Sequence, residues 1–592
     1  MKLQTLVKLG VGLLAVVGAL VLMVAVVGAV CALGAKRPVP SKVILEADFE
    51  KGLVEYVPDD AVAKIVSGSR APTVLGVIEA LERATTDDRV VGLIARVGEA
   101  GYSAAQIQEI RDAIIAFRGK GKPAIAYAET FGEGTKGNTS YYLATAFDEI
   151  YLQPSGDVGL AGLMAETPFI RGTLDKLGFV PRMDHRSEYK NAMNELTEKK
   201  YTAAHREATT KLVESIFGQI VKGIAERRKM SETEVRALID RGPFLGEEAL
   251  QAKLVDKLAY RDDAYAEIKK KAGADAKFLY LSKYSERAGG LYDKGTTVAL
   301  IYGVGGVNRG KSGYDPVFQE VTMGADTVAA AFRAAVEDKK VKAILFRINS
   351  PGGSYAASDT IWRETVRAKK AGKPVIVSMS SVAGSGGYFV AMSADKIVAE
   401  PATLTGSIGV FAGKMLTTNF WDKLGISWDE VHTSSNAMVF TGLKDYTPEQ
   451  WARFETLLDR IYEDFTTKVA EGRKLPKEKV LEIAKGRVWT GEDAKALGLV
   501  DELGGFPVAV RLVREAAGLP VDAKIRLKEF PLKKSPLEAL LGGGPDNSQK
   551  AGEATLARAL EVIQPLARVA RELGLGATDS GALRMPELGM EP

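Results

Sequence analysis

Ser385 lies in a glycine run, Gly384-Ser385-Gly386-Gly387-Tyr388. A serine hydroxyl is a weak nucleophile until a base takes its proton, and it needs a turn that exposes Oγ and lets a carbonyl come close. Glycines on both sides supply that exposure. A second glycine turn, Asn349-Ser350-Pro351-Gly352-Gly353, ends the apolar run Ile344-Leu345-Phe346-Arg347-Ile348. Its backbone could aim N–H groups, joined by that of Gly386, at a developing oxyanion. A serine among glycines is by itself more often only a turn, so the base decides the matter. His432 could serve a Ser-His pair, but its counterpart in an internal repeat is His185, and a histidine held by both copies reads as a packing residue. A lysine is the other candidate. Its ordinary pKa of about 10.4 makes it useless as a base near neutrality unless burial disfavours the ammonium form. Position in the chain does not raise Lys190 above the other lysines, which read as solvated charges.

Both turns belong to the second copy of a duplication. Tyr388, Asp395 and Pro401 align with Tyr141, Asp148 and Pro154, which puts Asn138 where the second copy has Ser385. Aligning Leu177-Gly178 with Leu424-Gly425 carries Lys190 onto Ser434-Ser435-Asn436-Ala437, a stretch without lysine. One copy keeps the hydroxyl and the other a lysine. Val43-Ile44-Leu45-Glu46-Ala47 matches Val298-Ala299-Leu300-Ile301-Tyr302, Val90 to Arg96 matches Val341 to Arg347, and Phe244-Leu245-Gly246-Glu247 matches Trp489-Thr490-Gly491-Glu492. A repeat this long divides the chain into tandem domains, over residues 41–290 and 291–535.

Within each copy, short β-branched apolar runs alternate with longer amphipathic stretches such as Thr327 to Glu337 and Ser358 to Lys370. Continuous runs suit strands buried on both faces, so the pattern predicts an α/β fold with mostly parallel pairing. Thr490-Gly491-Glu492-Asp493 reads as a capped helix start. Long charged helices are expected around Thr197 to Lys229 and Thr447 to Lys474, covering the sheet or meeting a neighbouring copy.

Residues 1–8 precede an uncharged span, Leu9 to Ala35. At 1.5 Å per residue it reaches about 40 Å, more than the ~30 Å hydrocarbon core requires, so an uncleaved transmembrane signal anchor is expected. The flanking positive charges do not orient it. A formal charge of +4 on 592 residues makes no basic footprint for nucleic acid. One cysteine and three histidines make a zinc site improbable, and no phosphate loop or dinucleotide fingerprint is present, so neither metal nor cofactor is expected. Gly542 to Ser548 reads as a linker and Leu556 to Leu573 as a solitary amphipathic helix, leaving residues 536–592 as a tail of unassigned role.

Four segments in order, Asn349-Ser350-Pro351-Gly352-Gly353, Gly384-Ser385-Gly386-Gly387-Tyr388, Thr405-Gly406-Ser407-Ile408-Gly409-Val410 and Gly486-Arg487-Val488-Trp489-Thr490-Gly491, resemble the signal peptide peptidase A family, a group of Ser/Lys membrane peptidases. The duplicated chain with an N-terminal anchor is similar to the long bacterial form of that family. The resemblance implies Ser385 as nucleophile, Lys190 as general base supplied by the other repeat, Ser407 as a hydroxyl that hydrogen-bonds the lysine, and Gly353 with Gly386 as oxyanion donors. It also implies a fold similar to ClpP and the crotonases, and a homotetrameric bowl on the outer face of the cytoplasmic membrane. The implied substrates are released signal peptides and other unfolded apolar peptides. Two alternatives stay open at this point: a catalytically inactive membrane scaffold, and a crotonase-like enzyme acting on acyl-CoA.

Overall fold

Two sheets that share a six-strand parallel order run through the computed structural model, which describes residues 38–56, 72–98, 101–315, 320–531 and 583–584; the second also branches from Val375–Gly384 to Leu404–Gly406 and the antiparallel Val488–Thr490. In the first, strands follow one another in space as Lys257–Leu258, Glu149–Leu152, Ala124–Ala128, Val90–Arg96, Val43–Asp48 and Lys277–Tyr280, every neighbouring pair parallel. In the second, Glu502–Leu503, Lys396–Ala399, Val375–Gly384, Val341–Ser350, Thr296–Val304 and Ile525–Phe530 repeat that order, again all parallel. The expected duplicated α/β architecture is therefore present as a mixed α/β fold.

Matching letters make matching contacts. The hydroxyl of Tyr141 donates to the Leu254 carbonyl at 2.7 Å, and that of Tyr388 to the Leu499 carbonyl at 2.9 Å. Asp148 accepts the amide of Ala124, and Asp395 that of Val375, each at 2.8 Å. The tyrosine bonds tie the helix after the third strand to the loop before the last short strand, and the aspartate bonds tie the turn after that helix to the start of the third strand, identically in both copies.

The continuous apolar runs are explained by burial on both faces. Successive side chains alternate, so Ile344 and Phe346 pack under Phe332, Ile361 and Phe389 while Leu345 meets Phe506, Val510 and Val513 on the other side. In the first sheet Leu93 and Ala95 meet Ile78, Leu81 and Ile114, and Ile94 meets Ile268. Helix starts are capped as the sequence indicates: Thr490 accepts the Asp493 amide at 3.2 Å, and Ser103 and Thr447 form capping boxes with Gln106 and Gln450. Each cap stabilises its helix by ~1 kcal/mol.

The repeats are joined by more than the covalent chain. Strand Val180–His185 of the first repeat runs antiparallel to Phe411–Leu416 of the second, from His185 opposite Phe411 to Val180 opposite Leu416. The long helix Ala203–Arg228 also reaches the second repeat, where Ser215 meets Thr490 at 3.0 Å. Its counterpart Pro448–Arg473 covers the second core through Leu458, Ile461, Phe465 and Val469. At the centre of the joint Arg347 is fully buried. Its guanidinium donates to Glu55 at 2.6 Å, to both oxygens of Glu109 at 2.9 and 2.6 Å, and to Ser378 at 2.8 Å. Burying three charges is tolerated because every N–H of the fork that faces them finds an oxygen.

The expected anchor at residues 9–35, the linker and the tail helix lie outside the described residues. Among the described residues no helix is long and apolar enough to cross a membrane.

Candidate active site

Strand Val375–Gly384 ends at Ser385, whose backbone sits at φ 53° and ψ −115° before the helix Gly386–Ala391 begins. A non-glycine residue in that region costs ~1–3 kcal/mol and persists only where its surroundings hold it. Here the Ser385 amide donates to the Gly406 carbonyl at 2.8 Å, and the Phe389 amide to the Ser385 carbonyl at 2.9 Å. The glycines around it are required by close approach. A Cβ on Gly386 would lie 2.7 Å from Ser358 Oγ and 3.0 Å from the Gly353 nitrogen, and one on Gly387 would lie 2.5 Å from the Ser350 carbonyl. The nucleophile turn is thus packed directly on the Ser350–Gly353 turn. That turn has its own constraint, since Gly353 at φ 156° has its α-carbon against the Val307 backbone, where a Cβ would come within 2.2 Å of the carbonyl oxygen.

Lys190 enters from the first repeat. It follows strand Val180–His185, and its loop is pinned to the second repeat by the Arg186 amide on the Val410 carbonyl at 2.9 Å and the Tyr189 amide on the Lys485 carbonyl at 3.1 Å. Its Nζ lies 2.8 Å from Ser385 Oγ, and 3.0 Å from both the carbonyl oxygen and the Oγ of Ser407. The Ser407 hydroxyl faces the Gly486 carbonyl at 3.4 Å and its amide donates to Arg487 at 2.7 Å. Ser385, Lys190 and Ser407 are all fully buried. Burial holds the Lys190 ammonium well below the usual lysine range. All three polar neighbours of Nζ are thus oxygens, one on Ser385 and two on Ser407.

All five residues singled out from the sequence, Ser385, Lys190, Ser407, Gly353 and Gly386, therefore meet in one place. Two further glycines make room for the lysine. A Cβ on Gly486 would lie 2.6 Å from the Cβ of Lys190, and one on Gly409 3.3 Å from its Cδ. Both belong to the quoted motifs, yet nothing in the chain says that a side chain from another repeat passes between them. His432 corrects an expectation. It is exposed, 3.8 Å from Glu430, and neither packs in a core nor approaches Ser385. Its segment lacks the strand partner that His185 has in Phe411.

The corresponding place in the first repeat is different. Asn138 replaces Ser385, and its carboxamide oxygen accepts the amides of Ala161 and Gly162 at 3.1 and 3.0 Å while its nitrogen donates to the Gly162 carbonyl at 2.9 Å. Leu160 stands where the alignment through Pro154 and Pro401 puts Ser407. The short 3-10 helices Asn191–Met193 and Ser435–Met438 share Asn-Ala-Met, which places Ser435 opposite Lys190.

A family model described as peptidase family S49 matches two segments, residues 116–275 and 367–520, together more than half of the chain. The first contains Lys190 and the second Ser385 and Ser407. The chain is 30% identical over 469 residues to the chloroplastic serine protease SPPA of Arabidopsis thaliana, covering 78% of this chain and 68% of that one. It is 34% identical over 455 residues to Protease 4 of Salmonella typhi, with coverages of 75% and 72%. It is 29% identical over 538 residues to Protease 4 of Haemophilus influenzae, with coverages of 87% and 85%. Among solved structures, a ClpP1 mutant from Listeria monocytogenes is 17% identical with a TM-score of 0.23, covering 36% of this chain and 94% of that one. The strand order, and not that likeness, defines the fold.

Proposed function

The chain belongs to peptidase family S49 and is a serine peptidase, and from that premise we propose that Ser385 and Lys190 are its nucleophile and general base. The single observation that carries this reading is the 2.8 Å approach of a fully buried lysine amine to the hydroxyl of a strained serine. In the reaction, Lys190 takes the Ser385 proton as Oγ attacks the scissile carbonyl. The oxyanion rests on the amides of Gly353 and Gly386, and the lysinium then protonates the leaving amine. Water enters against the acyl-enzyme ester, loses its proton to Lys190, and releases the acid as Ser385 regains its hydrogen. Ser407 keeps the amine aimed throughout. Membership of a serine peptidase family supports hydrolysis over the acyl-CoA and inactive-scaffold alternatives.

The substrates we propose are released signal peptides and other unfolded apolar peptides, with the chain anchored by residues 9–35 in the cytoplasmic membrane and its repeats on the periplasmic or outer side. We propose residues 41–290 and 291–535 as the two working units. Assembly as a ring of four is supported by an unused half-joint. In the second repeat, residues 426–440 correspond to the segment that carries Val180–His185 and Lys190 in the first, and they expose Trp428, Val431 and Phe440. A neighbouring molecule's first repeat would offer them a place equivalent to strand Phe411–Leu416, a head-to-tail contact that closes into a ring.

The test is hydrolysis of unfolded casein and of an apolar peptide by the chain beginning near residue 41, beside its Ser385→Ala and Lys190→Ala forms. Both substitutions should abolish turnover with the fold intact, and a serine-directed fluorophosphonate should label Ser385. Full activity in Lys190→Ala would overturn the dyad.

A further inference from the structure

Where helices Val74–Thr86 and Ala104–Arg118 of the first repeat meet helix Phe506–Ala516 of the second, the joint holds a cavity of 290 Å³. None of the five active-site residues lines it. Four acids do, Glu82, Glu109 and Asp112 from the first repeat and Glu400 from the second, and among the described residues no lysine or arginine joins them in the lining. Two of the acids sit deep. Glu109 and Glu400 are buried and both press on Gly505, where a Cβ would come 2.6 Å from Glu109 Cγ and 2.7 Å from Glu400 Oε1. Asp112 is exposed at the mouth and Glu82 is half-buried. Ala113, Pro507 and Val508 supply apolar wall.

Glu109 is satisfied, by Arg347 at 2.9 and 2.6 Å and by the Phe506 amide at 2.9 Å. Glu400 is not. It is 1% exposed, and among the described residues its Oε1 meets no donor. A buried carboxylate oxygen without a donor costs free energy, a cost that a bound partner would remove. The shared fold does not require it. Aligned through Pro401 and Pro154, Glu400 corresponds to Gln153 in the first repeat, a neutral side chain whose Oε1 accepts from Tyr127 at 3.1 Å and whose Nε2 donates to Ser155 at 2.9 Å.

An occupant must bring donors and positive charge to Glu400. Among the described residues no three acidic, histidine or cysteine side chains are grouped to hold a metal ion, so a compact metal cation lacks its ligands. An ammonium on an alkyl chain suits the site better, since its N–H groups make charge-assisted hydrogen bonds to the carboxylate while its methylenes cover the apolar wall. A second ammonium answers the acids nearer the mouth. We propose that this cavity binds a linear aliphatic diamine, with one ammonium on Glu400 and the other towards Asp112 and Glu82, so that the ligand bridges the two repeats. Desolvation, followed by the charges of Asp112 and Glu109, pushes the Glu400 carboxyl well above its ordinary range, against the pull of Arg347. The other charged or titratable groups facing the cluster are Arg111 beside Asp112, and Tyr292 and Arg514 beside Glu82. A diammonium ion favours ionised Glu400, so binding releases a proton and strengthens as pH rises through the Glu400 value.

The experiment is calorimetric titration of the full chain in detergent with 1,4-diaminobutane at neutral pH. One site per chain is expected, with the released proton read as a dependence of the heat on the ionisation enthalpy of the buffer. n-Butylamine, which keeps the chain length and one ammonium, should bind about tenfold more weakly or worse, the loss expected for charge-assisted bonds. Glu400→Gln should weaken diamine binding by about tenfold or more for the same reason. Asp112→Lys places a cation at the exposed mouth without disturbing the core and should weaken it at least as much. Hydrolysis of casein should be unchanged in both variants. Absence of saturable binding to the wild-type chain, or wild-type affinity in either variant, would overturn the proposal.

Discussion

The two repeats share a strand order and differ in the turn that follows the third strand. In the second repeat Ser385 is held at φ 53°, a conformation that is maintained by the Gly406 carbonyl and by glycines packed on the Ser350 turn. In the first repeat Asn138 is absent from the residues with positive φ, and its carboxamide makes three hydrogen bonds to the backbone of Ala161 and Gly162. One copy keeps local strain and a hydroxyl met by Lys190; the other has a side chain bonded only to its own repeat's backbone. Strain is retained where the surroundings over-determine it and something is gained from it. The first repeat contributes instead a lysine on a loop that it delivers across the joint. On the proposed mechanism, duplication has let one repeat carry the nucleophile and the other the base.

The sharpest test of that division is catalytic. Ser385→Ala and Lys190→Ala should each lower kcat by about 10³-fold or more, because members of a catalytic unit fail together. Asn138→Ser placed in the Ser385→Ala background should restore nothing, since Lys190 lies at residue 385 and the partners of Asn138 are the backbone of Ala161 and Gly162. Fluorophosphonate labelling at residue 138 in that protein would break the comparison.

A large structural effect is expected at the joint. Arg347→Met strands the buried carboxylates of Glu55 and Glu109 and should destabilise by about 3–5 kcal/mol. Its counterpart Arg96 faces Glu50 and Glu129 at 2.8 and 2.9 Å in a partly exposed setting, so Arg96→Met should cost only about 0–1 kcal/mol. Urea midpoints measure both, and equal losses would mean that the ion cluster does not hold the repeats together.

The pH profile sharpens the picture of the base. Below the depressed pKa of Lys190 the ammonium has no lone pair, so activity should fall about tenfold per pH unit on the acid side and level off above. That limb should lie well below the free-lysine range. Stability moves in a linked way. With the folded-state value lowered, the unfolded chain binds the extra proton between the two pKa values, so folding is disfavoured at neutral pH and recovers as pH rises toward about 10.5. Lys190→Met should therefore be inactive yet unfold at a higher temperature near neutrality, with the gain shrinking at alkaline pH.

Smaller effects complete the series. Ser407→Ala should lower kcat about tenfold, since one hydrogen bond that aims the amine is lost while the Ser407 carbonyl remains. Asn138→Ala should change kcat less than about twofold, its bonds serving only its own loop. Steady-state kinetics on unfolded casein separates the two.

Much was legible from the letters alone. The repeat, the parallel α/β pattern, the cap at Thr490 and the exchange of Ser385 for Asn138 follow from local spacing, because strands buried on both faces, turns and helix starts each have local chemical requirements. Ser385 and the glycines at 353 and 386 stand out by local chemistry, whereas Lys190 and Ser407 are singled out only through family likeness, since nothing local separates Lys190 from a surface lysine. What the tertiary structure decided is what depends on contacts between distant residues. Lys190 and Ser385 are 195 positions apart, and the lysine's pKa is lowered only because packing removes water from around its amine. Gly409 and Gly486 make that passage possible, Arg347 joins the repeats through Glu55 and Glu109, and His432 turns outward. Burial, strain and cross-repeat pairing belong to surroundings assembled from the whole chain, so no single stretch of sequence carries them.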